Sequence, residues 1–217
     1  MSAVHFDFTT LPARDRYKLL VSVVVPRPIA LVTTVDAQGR ANAAPFSFFN
    51  VVSDDPPLLV LGIGGREPRR DGHKDTVRNI GETGEFVVNL VDEPLMEQMN
   101  ICAIDFPPDV DELAAAGLTP IASARVRPPG LEKSPVRLEC RKYMSIPVGP
   151  EWRTLLIGEV LAMSVRDGIV SPDTLHVDPD AFSPVGRLHG GGWYLRLTDR
   201  MRMDRVTGLD GDASSRA

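Results

Sequence analysis

Short runs of aliphatic and β-branched residues, separated by glycine, proline and aspartate, dominate the hydrophobic pattern of the chain. Runs of this length and composition are typical of β-strands. They predict five strands, over residues 30–35, 58–63, 85–91, 136–143 and 154–165. Residues 36–39 (Asp-Ala-Gln-Gly) have the composition of a tight turn, with Gly39 able to take positive φ, so the segment that follows should pair with the first strand.

Helical patterns are fewer and shorter. They cover residues 12–21, residues 75–81 with Asp75 as the N-cap, residues 93–102 with Pro94 in the first turn, and residues 111–116 with Gly117 as the stop. These segments do not alternate regularly with the strands, as helices do in a doubly wound sheet. The pattern therefore predicts a mainly β fold, a barrel with short peripheral helices, in a single domain over residues 1–205. Residues 206–217 lack apolar periodicity and are predicted to form a flexible tail.

Composition narrows the class of protein. The 217 residues carry a net charge of -5 and have a pI near 5.4, which gives no general attraction to nucleic acid or to an anionic membrane. No secretory signal is predicted, and the apolar stretch at residues 19–26 is too short to span a bilayer. Cys102 and Cys140 lack the spacing of a zinc site or a disulfide framework, so we expect two buried thiols and a cytoplasmic location.

Familiar catalytic motifs are missing from the sequence. The histidines show no metal-ligand spacing, so no metal is expected at His5, His73, His176 or His189. No G-x-S-x-G motif is present, which leaves a serine hydrolase without its nucleophile turn. No catalytic side chain is therefore predicted from these motifs.

Two blocks near the N-terminus carry the strongest functional signal. The first runs from Arg27 through the predicted strand at residues 30–35, and the second is Asn-Ala-Ala-Pro-Phe-Ser at residues 42–47. Small side chains in the second block would let backbone amides approach a flat ring, and Ser47 offers a hydroxyl to a phosphate oxygen. Phe46 is the candidate to shield the ring, while its aromatic neighbours are as well suited to filling the barrel. The two blocks resemble the front half of the FMN-binding split barrel of the flavin reductase-like family.

A Lys-Asp-Thr triplet at residues 74–76 opens the second predicted helix. Free amides at a helix start favour an anion, and in the family that the chain resembles this triplet contacts the phosphate of the cofactor. The resemblance implies that Lys74 and Thr76 bind the phosphate and that Asp75 fixes the turn. The alternative is a solvated helix start capped by Asp75.

A glycine-rich segment at residues 183–194 is similar to the C-terminal part of the same family. The resemblance implies that Arg187, His189 and Tyr194 line the substrate side, together with Arg27. The alternative is a loop that places Trp193 and Tyr194 in an interface. The resemblance gives the full set of cofactor-binding residues as Thr33, Asn42, Ala43, Ala44, Pro45, Phe46, Ser47, Lys74 and Thr76.

The resemblance implies an FMN-dependent oxidoreductase. Electrons would pass from NADH or NADPH through the flavin to an acceptor, and each flavin would lie at the interface of a homodimer. Three alternatives stay open: a reductase component that supplies free reduced flavin to a separate monooxygenase, a non-catalytic flavin- or heme-binding module, and an electron carrier that serves another redox protein.

Overall fold

The computed structural model describes residues 2–64, 73–107, 110–149 and 153–204. The tail predicted at residues 206–217 lies outside the described residues. Within them, no helix is both long and apolar enough to cross a lipid bilayer.

One antiparallel sheet of seven strands forms the body of the protein. Its order is β2-β1-β5-β8-β9-β4-β3. These strands are β1 (Ala30–Val35), β2 (Ala41–Phe46), β3 (Phe49–Asp54), β4 (Pro57–Ile63), β5 (Glu85–Leu90), β8 (Val136–Val148) and β9 (Arg153–Val165). Two small two-stranded ribbons accompany the sheet: β6 (Pro120–Ile121) with β7 (Gly130–Leu131), and β10 (Val185–Arg187) with β11 (Tyr194–Arg196). The mainly β fold is confirmed.

The helices are short and peripheral, as predicted. They are α1 (Ala13–Val23), α2 (Asp75–Thr83), α3 (Met96–Ile101) and α4 (Glu112–Ala115), with a 3₁₀ turn at Glu93–Leu95. The prediction of Asp75 as the cap of α2 is wrong. The N-cap is Lys74, and the Asp75 carboxylate instead forms an ion pair with Arg78 at 2.6 Å.

Turn chemistry fixes the first hairpin. The backbone amide of Asp36 donates to the carbonyl of Arg40 at 3.0 Å, and Gly39 has a φ of 81°. That conformation is in the left-handed region, which glycine adopts without steric penalty. The hairpin sets the register of β1 against β2, which pairs Thr33 with Ala43 and Thr34 with Asn42.

The sheet is buried on both faces around β1, which explains the uninterrupted apolar run. Leu31 packs in one hydrophobic cluster with α3, α4 and β7. Ala30 and Val32 point the other way, into a second cluster that fills the barrel and includes Phe86. A hydrogen bond of 2.7 Å from the Gly62 amide to the carbonyl of Phe48 brings the β2–β3 corner against β4 and closes that end of the barrel.

Candidate functional site

Helix α2 is fixed to the first hairpin by buried polar side chains. Asn79 donates from Nδ2 to the hydroxyl of Thr34 at 3.0 Å, and Thr76 donates to Oδ1 of Asn42 at 3.4 Å. Asn42 Oδ1 also lies 3.5 Å from the Thr34 hydroxyl. Such hydrogen bonds fix the position of α2 relative to the hairpin, because breaking them would leave buried donors and acceptors without partners. The contacts therefore place the start of α2, with Lys74, beside strand β2.

The start of α2 has a positive potential. A lysine side chain has only donors, so Lys74 cannot accept from the first amides of the helix as a serine or aspartate cap would. The amide of Val77 donates to the carbonyl of Lys74 at 3.0 Å, and the amides of this first turn lie at the positive end of the helix dipole, which favours an anion. The Lys74 ammonium lies 5.7 Å from the centroid of the Phe46 ring. The helix start, a cation and an aromatic face thus meet in one place.

A cavity of about 350 Å³ opens beside this point. Its polar groups include Lys74, Arg153 and the hydroxyls of Ser47 and Thr154, and no carboxylate occurs among the described residues that line it. The remaining wall is apolar and is formed by Pro45, Phe46, Phe48, Ile63, Val148 and Leu155 together with Tyr17, Gly62 and Gly64. A concave apolar site with two convergent cations suits a flat ligand that carries an anionic group.

A smaller cavity of about 90 Å³ adjoins the first and shares Pro45 and Lys74 with it. It is lined by Asn42, Ala44, Pro45, Lys74, Asp75, Thr76, Cys102, Ala103, Ile104, Asp105 and Glu112. A tricyclic ring therefore belongs to the larger cavity rather than to this one.

A third space, of about 490 Å³, shares Asn42, Asp75 and Glu112 with the smaller cavity. The ion pairs Asp36–Arg40 and Asp75–Arg78 lie along it, and none of the described residues that line it is aromatic. Those residues therefore offer a planar ring no aromatic side chain on which to stack.

The structure brings most of the predicted cofactor-binding residues together. Seven of the nine line the two adjoining cavities: Asn42, Ala44, Pro45, Phe46, Ser47, Lys74 and Thr76. Thr33 does not line either, because it faces the opposite side of β1, where its hydroxyl donates to the carbonyl of Pro129 at 2.5 Å. Its neighbour Thr34 faces α2 instead.

Ala43 does not line the cavities either, because it is fully buried and its amide donates to Oε2 of Glu112 at 3.0 Å. Backbone groups alternate along an antiparallel strand, so the amides of Asn42 and Ala44 point towards β1. Pro45 has no amide hydrogen. The expectation that amides of this strand approach the ring is therefore not met: its outer edge presents carbonyl oxygens.

Arg27 is buried and binds the protein itself. Its Nη1 donates to the carbonyls of Val21 at 2.6 Å and Val24 at 2.8 Å, and its Nη2 donates to the carbonyl of Leu188 at 2.8 Å. Nε lies 3.5 Å from the hydroxyl of Ser47. Burial lowers the pKa of the Arg27 guanidinium from its ordinary value. Arg27 therefore ties the end of α1 to the glycine-rich segment behind the cavity.

The other substrate-side candidates form a separate corner. The guanidinium of Arg187 lies 4.6 Å from the centroid of the Tyr194 ring, across the β10–β11 ribbon. Nδ1 of His189 lies 2.9 Å from the carbonyl oxygen of Ser22. None of the three lines either adjoining cavity. Arg187 pairs with Arg27 through the backbone, and Nε of Arg27 lies 3.5 Å from the hydroxyl of Ser47, which lines the larger cavity.

Sequence reasoning missed Arg153 and Tyr17. Arg153 begins β9, with Nη1 close to Gly64 at the end of β4, and Tyr17 reaches from α1 to stack at a tilt on Phe48, with ring centroids 6.3 Å apart. Residue 153 is more than one hundred positions from the first hairpin. Only the pairing of β9 with β4 brings it to the cavity, and no local pattern carries that information.

Both cysteines are buried thiols, as predicted. Burial raises the pKa of Cys102 to about 12, with a further contribution from the negative charge of Glu112. Burial also raises the pKa of Cys140. Since the thiolate is the reactive form, neither residue is suited to be a nucleophile. Among the residues with described positions, no group of three or more metal-ligating side chains is arranged to hold a metal ion.

Comparison with known proteins identifies the family to which this fold belongs. The model of the flavin reductase like domain matches residues 22–185. The chain therefore belongs to the flavin reductase-like domain family, and the resemblance noted from the two N-terminal blocks is confirmed.

Solved structures of similar proteins agree with this assignment. The chain is 38% identical to the Pseudomonas fluorescens 2-nitrobenzoate 2-nitroreductase NbaA, with a TM-score of 0.86 over 96% of this chain and 100% of that chain. It is 33% identical to nitrilotriacetate monooxygenase component B from Bacillus cereus, with a TM-score of 0.87 over 94% and 100% of the two chains. A protein from Shewanella frigidimarina, described as a flavin reductase with a split barrel domain, shares the fold at 24% identity and a TM-score of 0.78, over 94% and 100% of the chains. The split barrel is confirmed.

Proposed function

We propose that the protein is an FMN-dependent oxidoreductase whose cofactor occupies the cavity between β2, the start of α2 and β9. One observation carries the proposal: Lys74 and Arg153 both line a cavity of about 350 Å³ that has aromatic walls and no carboxylate among its described lining. The isoalloxazine of FMN is flat and largely apolar, and its phosphate is anionic. The cavity offers a complementary surface to each part.

The residues would divide the work of binding. Phe46 would cover the ring, while Lys74 and Arg153 would attract the phosphate, with the dipole at the start of α2 as a further source of positive potential. Ser47 offers a hydroxyl at the same wall. When bound, a flavin supplies hydride acceptance and electron transfer, so the chain itself needs only to orient the ring and keep water from one face.

We further propose that NADH or NADPH is the electron donor and that the protein acts as a homodimer in the cytoplasm. Large apolar side chains exposed along β3 and the outer half of β8 support the dimer, because monomers rarely leave such a surface open: Val51, Val52, Tyr143, Met144, Ile146 and Val148. The two buried free thiols fit a reducing compartment.

The test is anaerobic reduction of the reconstituted protein. Wild type incubated with FMN should lose its visible flavin absorbance when NADH or NADPH is added, and the two donors are compared separately. Lys74→Gln should bind FMN more weakly but bind riboflavin, which lacks the phosphate, nearly as well as wild type. The matched control is Lys133→Gln, at an exposed lysine outside both cavities, and it should change neither affinity. Equal losses for both flavins in Lys74→Gln would contradict the phosphate role.

A second candidate is a reductase component that releases reduced flavin to a partner oxygenase. The likeness to component B of the Bacillus cereus monooxygenase favours it. Gel filtration of the FMN-loaded protein separates the two functions. If flavin elutes apart from the protein, and if NADH or NADPH reduces many equivalents of free flavin, the component role is supported; retained flavin favours the bound cofactor. The likeness to a nitroreductase makes nitroaromatic acids the first acceptors to assay.

A further inference from the structure

The side chain of Phe48 is a fixed wall at the β2–β3 corner. The amide of Gly62 on β4 donates to the carbonyl of Phe48 at 2.7 Å. The Phe48 side chain lies directly over Gly62, because a Cβ atom at position 62 would lie 3.0 Å from Cβ and 3.4 Å from Cδ2 of Phe48. Glycine leaves room for this close approach. β4 therefore supports one side of Phe48, while 43% of the residue stays exposed.

Two spaces meet at Phe48. One is the cavity of about 350 Å³ proposed above for the flavin, and the other is a groove of about 320 Å³ between α1 and the β2–β3 corner. Both spaces are lined by Ser47 and Phe48. The described residues that line the groove are mostly apolar and include Leu20, Val24, Pro26, Pro28 and Phe49. A molecule in the groove therefore has direct access to the flavin cavity past Phe48.

Tyr17 covers the junction of these two spaces. Its ring packs on Phe48 at a tilt of 46°, with the ring centroids 6.3 Å apart, and it lines the flavin cavity. Leu20 follows Tyr17 by three positions, on the same face of α1, and lines the groove. Helix α1 thus covers both spaces, and Tyr17 is the part of it that lies at the flavin cavity.

The Tyr17 end of α1 is the weakly attached end. Among the described residues, the side-chain hydrogen bonds that tie α1 to the barrel come from Arg27 and His189, and they go to carbonyl groups within residues 21–24. The one buried residue of α1 lies in the same stretch. Tyr17 is 55% exposed, and an aromatic pair of this kind changes an equilibrium constant only about two- to tenfold. A ring that packs flat on Phe48 can therefore replace Tyr17 at small cost.

We propose that the face of Phe48 covered by Tyr17 is a subsite for the planar ring of the second substrate, and that Tyr17 is the specificity-determining gate of this subsite. The inference rests on the proposed function, because the flavin would lie in the adjoining cavity. The ring is the nicotinamide of the electron donor or the ring of a planar acceptor, and it displaces Tyr17 on entry. The groove then holds the rest of the molecule beside α1. A substrate without a ring gains nothing from the subsite.

The experiment compares Tyr17→Ala with wild type in the two half-reactions of the FMN-loaded protein. Tyr17 is exposed and alanine is a strong helix former, so the variant keeps α1. Anaerobic stopped-flow reduction by NADH, and separately by NADPH, gives the apparent dissociation constant of the donor. Reoxidation of the dithionite-reduced protein by 1,4-benzoquinone gives that of a planar acceptor.

The constant of the reactant that uses the subsite should fall about two- to tenfold in Tyr17→Ala, because no gate has to be displaced. A fall for the nicotinamide alone assigns the subsite to the donor, and a fall for benzoquinone alone assigns it to the acceptor. A fall for neither would overturn the proposal. Tyr17→Phe keeps the ring on Phe48 and should restore the wild-type constants.

A second substitution separates a subsite from an ordinary wall of the cavity. In the Tyr17→Ala background, Phe48→Leu should raise the lowered constant about two- to tenfold, since the substrate ring loses its platform. In the Phe48→Leu background, Tyr17→Ala should have little effect, since no ring pair is left to break. A constant that stays low in the double variant would contradict the subsite.

Ferricyanide and Phe6→Ala are the controls. Ferricyanide accepts electrons without a ring, so its rate of reoxidation should be the same in wild type and Tyr17→Ala. An acceleration as large as the gain for benzoquinone would overturn the proposal, because it would show only a wider opening. Phe6 is also 55% exposed but lines neither the flavin cavity nor the groove, so Phe6→Ala should change no constant.

The two proposals fail in different ways. Failure of wild type to bind FMN would refute the proposed function. Bound FMN with unchanged constants in Tyr17→Ala would overturn the gate and leave the flavin site intact.

Discussion

Replacing Arg27 by methionine tests whether this residue serves the fold or the substrate. Methionine keeps an apolar stem in the buried site but cannot donate to the carbonyls of Val21, Val24 and Leu188. Each hydrogen bond from a charged donor contributes about 1.5–3 kcal/mol, and the desolvation of the buried guanidinium offsets part of the sum. We therefore expect a net loss of roughly 3 kcal/mol in the free energy of unfolding.

Thermal unfolding followed by circular dichroism measures this loss. In a domain of about 200 residues, 1 kcal/mol corresponds to about 2–4 °C, so the midpoint should fall by roughly 6–12 °C. Arg187→Met is the control, since its guanidinium stacks on Tyr194 near the surface and should contribute about 1 kcal/mol or less. An unchanged midpoint in Arg27→Met together with weaker binding of flavin or acceptor would refute the structural role and restore Arg27 to the substrate side.

Three further outcomes are expected. Gly158→Ala should lower the unfolding free energy by about 1–3 kcal/mol, because the new Cβ would lie 2.3 Å from Cζ of the fully buried Phe86. Gly81→Ala, which has open space at its Cβ, should instead stabilise α2 by about 0.5–1 kcal/mol. Urea denaturation of both variants measures the two effects. Asn89→Ala should lower the unfolding free energy by about 1–3 kcal/mol by stranding the buried amide of Leu131, and an unchanged urea midpoint would contradict this. The pKa of Cys102, raised to about 12 in the folded protein from 9.0, predicts stability that is present below pH 9 and lost as the pH rises towards 12, and Cys102→Ala should flatten that fall in pH-dependent denaturation.

Buried side chains explain why the sequence predicts β1 and β4. β1 is buried at every position and β4 at alternate positions, and this burial accounts for the hydrophobic pattern of both segments in the sequence. β3 is not predicted because most of its residues are exposed, and β8 continues five residues past the predicted end through a stretch whose residues are all exposed to solvent in part. The length of a solvent-exposed strand is set by its hydrogen bonds to the neighbouring strand. The hydrophobic pattern of the sequence carries no information about those bonds.

Some residues of the candidate site could be predicted from the sequence and others could not. Residues 42–47 and Lys74 could be found from the sequence because short motifs carry them. Arg153 and Glu112 could not, because β-pairing and the docking of α4 bring them to β2 from distant parts of the chain. Thr33 and Thr34 are adjacent in the sequence, and only the register of the hairpin decides that Thr34, and not the predicted Thr33, faces α2.

The most direct test of the account is a titration of the purified wild-type protein with FMN and, separately, with riboflavin, repeated with Arg153→Gln. Saturable binding of FMN by wild type, with FMN affinity reduced in the variant and riboflavin affinity nearly retained, is the predicted result. Failure of wild type to bind FMN, or the same affinity in wild type and Arg153→Gln, would contradict the claim that the cavity between β2 and β9 holds a phosphate-bearing flavin.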